Sequence, residues 1–344
     1  MSAKWHKNKN FDPSLVLTRI RAANNSPVGH PPSFDAFALE WPRAALSTMI
    51  EIGDDISAFA KPLALTRGIH AASASSVDLT PEALLAAVDA ELRKLHRTRE
   101  NDFVLTTSIS LAAPPPSRIA RVRRCEIEYL KSDFPRKFNS RAELGKHWHD
   151  SSKPEHTPAD YVKVLVRAKA KLSHDAAAAC LDALDIHRAL TCLFENFRFS
   201  IPMGSTHRPI NRVMLGGLHG LHFSDGSLAE VFHWYQPAFT RVSLHEISNS
   251  AVVAKNHRWA LRQLSKASPN HRARIQSALL RYVRGFDEPD RGSGFLKAWG
   301  ALESLMATSG NAERRDHALL SDPTLLLRGG VVPPPQRIAL RLGR

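Results

Sequence analysis

Two histidines separated by one residue, in the segment His147-Trp148-His149-Asp150, are the first candidates for chemistry in this sequence. If the segment is extended, both imidazoles lie on one face, as two ligands of a metal ion would. A metal-dependent hydrolase needs a third and a fourth ligand, and the spacing supplies neither. With 17 histidines in the chain, such a pair also arises by accident in a solvated loop. The pattern favours the loop, and we predict no bound metal and no cofactor.

Four arginines between residues 118 and 124 are the best candidates for phosphate binding. A guanidinium group presents several N–H donors in one plane, and this arrangement matches phosphate oxygens. The segment Arg118–Leu130 predicts a strand that carries these side chains. A strand face that is simply solvated is the alternative, and the sequence leaves it open. The RNA-binding candidates are Arg118, Arg121, Arg123 and Arg124.

The charge balance of the chain points to a polyanionic partner. Lysine and arginine outnumber aspartate and glutamate by 47 to 33, and the net charge is +14 at pH 7. Such an excess favours association with nucleic acid, and RNA is the expected partner, although net charge does not determine the fold. An arginine-rich composition without any such partner is the alternative.

Several other classes of site have no signature in the sequence. The three cysteines, Cys125, Cys180 and Cys192, are too few and too widely spaced for a disulfide framework or a paired-cysteine metal site. We find no glycine-rich phosphate loop, nucleophile elbow or dinucleotide fingerprint. The longest apolar runs fall short of a membrane span, and no apolar stretch follows the basic N-terminus. We therefore expect a cytoplasmic protein that does not enter a membrane.

The elements that position these residues predict an α+β fold, with antiparallel strands in the N-terminal part and helices in the C-terminal part. The predicted domains are a flexible basic arm at 1–35, a mixed α/β region at 36–240, a helical region at 245–310 and an irregular basic tail at 325–344. A helix at 173–197 is expected to pack with the helical region, despite its earlier place in the chain.

Local patterns indicate the individual elements. Thr80 and Pro81 open a helix, since threonine is a good N-cap and proline fits the first turn. The dipeptide Asp225-Gly226 marks a β-hairpin turn. Apolar residues alternate in the predicted strands and recur at helical spacing in the predicted helices. The strands are at Leu46–Ile52, Asp102–Leu111, Arg118–Leu130 and Val162–Lys171, and the helices are at 173–197, 249–267, 270–285 and 292–307.

Two helical segments resemble one known family. The segment Phe295–Leu305 carries a tryptophan and a leucine–glutamate pair at the spacing found in a helix of ApeA-like HEPN proteins. The segment Ala183–Arg188 resembles the earlier leucine–aspartate–arginine helix of the same family. The hairpin region between them also fits, so the resemblance covers roughly residues 160–324. The family-like positions are Asp185, Arg188, Trp299, Leu302 and Glu303.

The resemblance implies a helical bundle that forms a homodimer and cleaves RNA without a metal ion. The family's cleavage motif is an arginine followed, after four to six residues, by a histidine. Histidine can take the proton of the ribose 2′-OH, and arginine can stabilise charge at the scissile phosphate. Asp185 and Arg188 are expected to pair in a structural role. Glu303 lies among apolar neighbours, so we expect it to be buried against an arginine of the 270–285 helix.

The chain departs from the family where the catalytic motif is expected. Only 45 residues follow Trp299, and the stretch from Arg328 onward has three consecutive prolines and no acidic residue. Consecutive prolines cannot lie inside a helix. One hypothesis is that the reading frame shifts near Thr324, so that the catalytic helix is lost. The other is a genuine basic tail that contacts RNA.

Arginine–histidine pairs with the family's spacing occur elsewhere, no more often than chance predicts. They are Arg141 with His147, Arg167 with His174, and Arg212 with His219. None lies on the expected bundle helix, and Arg314, Arg315 and His317 lie too close together, so the catalytic residues stay unknown. We expect a HEPN-family protein of RNA-targeting antiviral or toxin-like defence that is inactive as a nuclease. A non-catalytic RNA-binding or scaffold protein is the alternative, and a metal-dependent hydrolase is the second.

Overall fold

The computed structural model describes residues 3–6, 12–26, 31–35, 38–53, 56–57, 59–75, 79–115, 117–138, 159–195, 209–235 and 241–306. The chain divides into two compact units. The first unit comprises Met1–Asn101 with Ala170–Ala176, and the second comprises Asp102–Lys169 with Ala177–Arg344. Among the described residues, no helix is both long enough and apolar enough to cross a membrane.

The described residues of the first unit form four helices and a short two-stranded sheet. The elements are β1 (Lys4–Trp5), α1 (Pro13–Ala22), α2 (Glu40–Met49), β2 (Ile50–Glu51), α3 (Ala60–Ser75) and α4 (Pro81–Arg97). The sheet is antiparallel, with Lys4 opposite Glu51. Each of the four helices contributes buried side chains to one apolar core. That shared core holds the first unit together.

Helix α4 begins where the sequence predicts it. The Thr80 side chain accepts a hydrogen bond from Ala83 N at 3.2 Å, and Pro81 lies in the first turn. The Thr80 side chain satisfies one of the unpaired N–H groups at the start of the helix, and Pro81 has no N–H group that could be left unpaired. The apolar residues follow at spacings of four, four and three, so one stripe faces the core. The buried leucines and valine are Leu84, Val88, Leu92 and Leu95.

The N-terminal segment is not a loose arm where the structure describes it. Asp12 caps α1 by accepting a hydrogen bond from Ser14 N at 2.9 Å, and Pro13 occupies the first turn. The buried residues of α1 are Val16, Leu17 and Ile20. The prediction of a flexible arm over 1–35 was wrong here because a helix gathers three scattered apolar residues onto one face.

Two further predictions for the first unit differ from the structure. The strand expected at Leu46–Ile52 is the end of α2 followed by β2. Leu46 and Met49 are both buried because a helix brings residues three apart onto one face. The region predicted as one domain at 36–240 is divided between the two units, since the four helices of the first unit bury a core of their own.

The remaining described elements are a six-stranded sheet and four helices. They are β3 (Asn101–Ile109), β4 (Ile119–Val122), β5 (Cys125–Tyr129), β6 (Val162–Ala170), α5 (Ser173–Glu195), β7 (Leu218–Phe223), β8 (Leu228–Tyr235), α6 (Ser250–Lys266), α7 (Pro269–Phe286) and α8 (Arg291–Met306). The strand order is β4-β5-β6-β3-β7-β8. Strand β5 pairs antiparallel with β4 and β6, and β7 pairs antiparallel with β3 and β8. The fold is α+β.

The segment predicted as one strand, Arg118–Leu130, is a β-hairpin. Val122 lies opposite Cys125 across the β4–β5 pair, so Arg123 and Arg124 form the turn. Arg123 has a φ angle of 55°, in the left-handed region that glycine or asparagine usually occupies in tight hairpins. Because neither residue type stands at the turn, the sequence carries no local signal for it.

The hairpin turn predicted at Asp225-Gly226 is present between β7 and β8. Gly226 has a φ angle of 101°, which residues with a Cβ atom rarely adopt. A Cβ atom on Gly226 would also lie 2.2 Å from the carbonyl oxygen of Lys137. The Asp225 carboxylate accepts hydrogen bonds from Ser227 N at 2.9 Å and from Ser227 Oγ at 2.7 Å. Both turn residues are therefore required by the local geometry.

Helix α5 is enclosed on two sides. Ten consecutive residues, from Ala183 to Cys192, are buried, as expected for a helix without a solvent face. On one side, Cys180 Sγ lies 3.4 Å from the carbonyl oxygen of Val166 in β6. On the other side, α5 hydrogen-bonds to α6 and to α7. The expected packing of this helix with the C-terminal helices is present.

Helices α6, α7 and α8 begin and end within one residue of the predicted positions. Asn249 caps α6, and Ser268 caps α7 with Pro269 in its first turn. Helices α7 and α8 approach closely, since a Cβ atom on Gly294 would lie 2.9 Å from the carbonyl oxygen of Gly285. Glycine at this crossing allows the two backbones to touch.

Candidate nucleic-acid interface

The four predicted phosphate-binding arginines do not form one free surface. Arg121 donates to the Glu126 carboxylate at 3.3 Å. Arg123 donates to Asp182 at 2.9 Å and to the Gln276 side chain at 3.0 Å, which ties the hairpin turn to α5 and α7. Both charges are therefore already neutralised by carboxylates. Arg118 and Arg124 are exposed and, among the described residues, have no ion-pair partner.

A second basic surface lies on α6, and we name it the basic face. Its members are spaced by three, four and four residues, so they lie on one side of the helix. All four side chains are exposed, and α6 contains no acidic residue. None of the four pairs with a carboxylate within the described part of the chain. The basic face consists of Lys255, Arg258, Arg262 and Lys266.

The basic face continues towards the start of the hairpin. Arg258 Nη1 donates to Ser117 Oγ at 3.3 Å, and Ser117 immediately precedes the exposed Arg118. Arg262 Nε donates to the Arg258 carbonyl oxygen at 3.2 Å, which holds its guanidinium along the helix. The arrangement places several unneutralised cations in a row. A phosphate backbone is the chemical group that fits such a row.

Other arginines of α7 serve the helix packing. Arg272 donates to three carbonyl oxygens at the end of α6, including Leu264 O at 2.8 Å. Arg274 donates to the Ser304 carbonyl oxygen, and Arg281 donates to the Gly300 carbonyl oxygen. These side chains cap or join helices, so the number of arginines in the sequence overstates the positive charge that is free to bind a ligand.

The basic face could have been predicted from the sequence, because lysine and arginine recur at helical spacing over 249–267.

Helices α5 and α7 share a buried ion-pair network. Arg188 is 1% exposed and donates to Asp185 at 2.8 Å and to Asp287 at 2.6 Å. Arg284 of α7 donates to the second oxygen of Asp185 at 2.8 Å, and Asn211 donates to Asp287 at 2.7 Å. The pairing of Asp185 with Arg188 was predicted, whereas Asp287 lies 99 residues beyond Arg188 and had no sequence signal.

The network keeps its charges despite burial. Burial opposes the charge on Arg188, but the nearby carboxylates of Asp287 and Asp185 outweigh it and raise the pKa of the guanidinium well above its ordinary value. Burial likewise opposes the charge on Arg284, while Asp185 and Asp182 raise its pKa. Both guanidinium groups are therefore charged at every physiological pH. Its position inside the unit indicates a structural role.

A chain of neutral hydrogen bonds runs beside this network. Tyr129 Oη lies 2.8 Å from His187 Nδ1, and His187 Nε2 lies 3.2 Å from His257 Nδ1. His257 Nε2 lies 3.4 Å from Thr191 Oγ1, whose hydroxyl donates to the His187 carbonyl oxygen. We name these four side chains the histidine relay. Because the Thr191 hydroxyl donates to the carbonyl, its oxygen accepts from His257 Nε2–H, His257 Nδ1 accepts from His187 Nε2–H, and His187 Nδ1 accepts from the Tyr129 hydroxyl. In this arrangement both imidazoles are neutral.

The surroundings favour the neutral state of the relay. Burial, and then the neighbouring His257, hold the pKa of His187 well below its ordinary value. Burial lowers the pKa of His257 to about 4 and raises the pKa of Tyr129 well above its usual range. The four residues line a small pocket together with Ser117 and Ser250. Imidazoles this acidic are poor general bases at neutral pH, so the relay has the properties of a packed core element.

The arginine–histidine pairs in the described residues are not arranged for cleavage. Arg167 donates to Glu128 at 2.7 Å and lies 3.7 Å from Glu126. His219 is buried, and its Nδ1 lies 2.8 Å from Thr107 Oγ1. The buried imidazoles thus have packing partners. The remaining members of the two described pairs are His174, which is exposed, and Arg212, which is partly buried. The candidates outside the described residues are Arg141, His147, His149, Arg314, Arg315 and His317.

The family-like positions on α8 are exposed. Trp299 is 52% exposed and Leu302 is 53% exposed. The Glu303 carboxylate is exposed and accepts a hydrogen bond from Trp299 Nε1 at 2.8 Å. The expectation of a buried Glu303 paired with an arginine of α7 was wrong, because its apolar neighbours on this face are themselves exposed.

Comparisons of the chain with protein-family models, curated proteins and solved structures found no match. Within the described ranges, no group of three or more histidine, cysteine, aspartate or glutamate side chains could hold a metal ion. The basic face is therefore the candidate site whose geometry indicates most clearly which chemical group it could bind.

Proposed function

We propose that this protein binds RNA through the basic face of α6 and the adjoining Arg118. The observation that carries the proposal is the absence of carboxylate partners for these exposed cations within the described residues, although other arginines of the same unit are ion-paired. Unpaired cations lose little on binding a phosphate, because no internal ion pair has to break. Neutralising phosphates releases condensed counterions and gives salt-dependent affinity.

The test is a triple substitution on the basic face, Lys255→Gln with Arg258→Gln and Arg262→Gln. Affinity for a fluorescently labelled single-stranded RNA is measured by anisotropy over a series of salt concentrations. We expect affinity at low salt to fall at least about tenfold, because three phosphate contacts are removed. The slope of log affinity against log salt should become shallower by about 2, since each contact to a single strand contributes about 0.7.

A charge-matched control lies on α4 and just after it. Arg93, Arg97 and Arg99 are exposed, and changing all three to glutamine removes the same charge from the first unit. The control should keep the affinity and salt slope of the unchanged protein. An equal loss of RNA affinity in both variants would mean that binding depends on net charge alone and not on the basic face. No salt-dependent binding by the unchanged protein would overturn the proposal.

The resemblance to ApeA-like HEPN proteins extends the proposal to RNA-targeting defence. Support comes from the buried Asp185–Arg188 pair and from α8, whose sequence resembles the family's tryptophan helix. The engaged guanidinium of Arg167 and the buried imidazole of His219 favour binding without cleavage. We expect labelled RNA to keep its length after incubation with the protein and a chelator. Fragments that accumulate under those conditions would show metal-independent cleavage instead.

We also propose that a second copy of the chain covers the exposed face of α8. Four apolar residues are spaced by four, three and four, which is the seam spacing of helices that pair along their length. Their exposed fractions lie between 52% and 72%. We name this surface the α8 stripe, and it consists of Phe295, Trp299, Leu302 and Met306.

The area of the α8 stripe is suited to self-association. Together with the neighbouring Leu296, which is 69% exposed, it offers on the order of 600 Å² of apolar surface per copy. Two copies facing each other would bury on the order of 1,200 Å², the lower end of stable protein interfaces. Apolar patches of this size are uncommon on monomers unless they bind a partner.

Leu302→Glu tests the dimer by placing a charge at the centre of the stripe. We expect the unchanged chain to sediment as a dimer at micromolar concentration and the variant to sediment as a monomer. Leu15→Glu is the matched control, because Leu15 is 57% exposed on α1, and it should leave the mass unchanged. A monomeric unchanged protein would contradict this proposal and leave the RNA proposal untouched.

A further inference from the structure

Trp259 lies on the solvent side of α6, among the cations of the basic face. It follows Lys255 by four residues and precedes Arg262 by three, and residues at those spacings are neighbours on a helix surface. It also follows the buried His257 by two residues, which corresponds to about 200° of rotation around the helix axis. The indole is therefore on the side opposite the core, beside the cationic side chains.

The indole of Trp259 is partly buried. Among the described residues, its side chain has neither a ring contact nor a hydrogen bond. Trp299, by comparison, donates from Nε1 to Glu303 at 2.8 Å, and its ring is stacked with that of Phe295. The buried residues of α6 are on the other side of the helix. Packing against the core therefore does not account for a large aromatic residue at this position.

The basic face extends on both sides of Trp259 along the helix. From Lys255 to Lys266 the helix rises by about 16 Å, and Trp259 lies within this span. Arg258 is positioned by its hydrogen bond to Ser117 at 3.3 Å. The helix contains no acidic residue that would repel a phosphate. An RNA strand whose phosphates follow these cations therefore passes over the indole.

We propose that Trp259 stacks on an unpaired base of a single-stranded RNA bound along the basic face. This inference rests on the proposed RNA binding and specifies the class of RNA. An indole offers a flat apolar surface to a base, and such stacking tolerates any sequence because every base has a π-face. The neighbouring cations bind the phosphates, which carry no sequence information. The site thus recognises single-stranded RNA without reading its sequence.

Double-stranded RNA does not allow the same contact. In an A-form duplex the bases are paired and stacked on one another, and the major groove is too deep and narrow for side chains to read. A side chain on an exposed helix surface, such as Trp259, meets the phosphates and riboses of a duplex but not the faces of its bases. The cations of the basic face can bind either form, so Trp259 is the residue that distinguishes them.

Substitution of Trp259 by leucine and by phenylalanine tests the stacking. Affinity for a labelled oligouridine, which has no stable internal pairing, is measured by anisotropy over a series of salt concentrations. We expect Trp259→Leu to lower this affinity about fivefold or more, because the stacking of one base is lost. The salt slope should stay the same, since no cation is removed. Trp259→Phe keeps an aromatic face and should retain most of the affinity.

Duplex RNA and inorganic polyphosphate are the comparison ligands, because neither presents an unpaired base. Trp259→Leu should bind both as tightly as the unchanged protein does, and this binding also shows that the variant is folded. Trp41→Leu is the matched control, because Trp41 is 52% exposed on α2. It should keep the affinity of the unchanged protein for oligouridine.

Failure of the stacking and failure of RNA binding give different results. Salt-dependent binding of oligouridine that is equal in the unchanged protein and in Trp259→Leu would overturn the stacking and leave the proposed RNA binding in place. No binding of oligouridine by the unchanged protein would overturn both. An equal loss of affinity for polyphosphate in Trp259→Leu would also overturn the stacking, because the substitution would then act through the cations.

Discussion

Replacing Arg188 by methionine is expected to lower the free energy of unfolding by about 3–5 kcal/mol, the usual cost of removing one partner from a buried ion pair. The Arg188 side chain is 1% exposed and holds the carboxylates of Asp185 and Asp287 together. Methionine fills a similar volume, so the loss comes mainly from carboxylates that lose their central partner, since, among the described residues, Asp185 then keeps only Arg284 and Asp287 keeps only Asn211. Urea unfolding followed by circular dichroism measures the change.

The control for this substitution is Arg121→Met. Arg121 also pairs with a carboxylate, but its side chain is 82% exposed, so we expect a change below about 1 kcal/mol. A second variant adds Asp185→Asn and Asp287→Asn to Arg188→Met and should recover part of the lost stability, because no buried charge then lacks a partner. A loss below about 1 kcal/mol for Arg188→Met alone would show that the network does not hold the unit together.

Acidification is expected to destabilise the protein by about 3 kcal/mol through His257 alone. The pKa of this imidazole is about 4 in the folded protein and has an ordinary value of 6.5, and each unit of difference corresponds to about 1.4 kcal/mol. The folded state keeps His257 neutral, whereas the unfolded state binds a proton below pH 6.5. The stability is therefore complete above pH 6.5 and falls as the pH decreases towards 4.

Protonation would also break the histidine relay. His257 Nδ1 accepts the N–H of His187 Nε2, so a proton at that nitrogen would place two donors face to face. His187 acts in the same direction, because burial and its neighbour His257 hold its pKa well below the ordinary value. The other relay members, Tyr129 and Thr191, are uncharged, and Phe194 packs against the His257 ring, so no carboxylate in the relay offsets the cost.

Unfolding free energies measured from pH 7 to pH 5 provide the test. His257→Gln does not titrate and keeps an acceptor for His187, so the slope of stability against pH should become shallower. His96→Gln is the control, because His96 is exposed on α4, and it should leave the slope unchanged. Carboxylates titrate mainly below this window. An unchanged slope in His257→Gln would contradict the predicted role of burial.

The sequence was sufficient where the signal is local. The N-cap of α4, the Asp225-Gly226 turn and the boundaries of α6, α7 and α8 depend on residues within one or two turns of each other. Capping side chains, positive φ angles and apolar spacing act over that range. These features could therefore be predicted without knowing what packs against them.

The sequence was insufficient where the partner is distant. The hairpin turn at Arg123 has an unfavourable φ angle, and its side chain is held by Asp182 and by Gln276, 59 and 153 residues away. His187 and His257 are 70 residues apart. For Glu303, apolar neighbours suggested burial, but periodicity alone does not reveal whether an apolar face is covered. Each case depends on tertiary contacts that local propensity does not encode.

The enclosure of α5 has a consequence for synthesis on the ribosome. Asp185 and Arg188 leave the ribosomal exit tunnel well before their partners are synthesised. Arg284 lies 99 residues after Asp185, and Asp287 lies 99 residues after Arg188. During that interval α5 has polar groups whose burial would be unfavourable, because the matching charges have not yet been made. At a synthesis rate of about 5–20 residues per second, the delay amounts to about 5–20 seconds. The nascent second unit therefore depends on α7 to complete its interior, whereas the first unit draws most of its core from the first 101 residues.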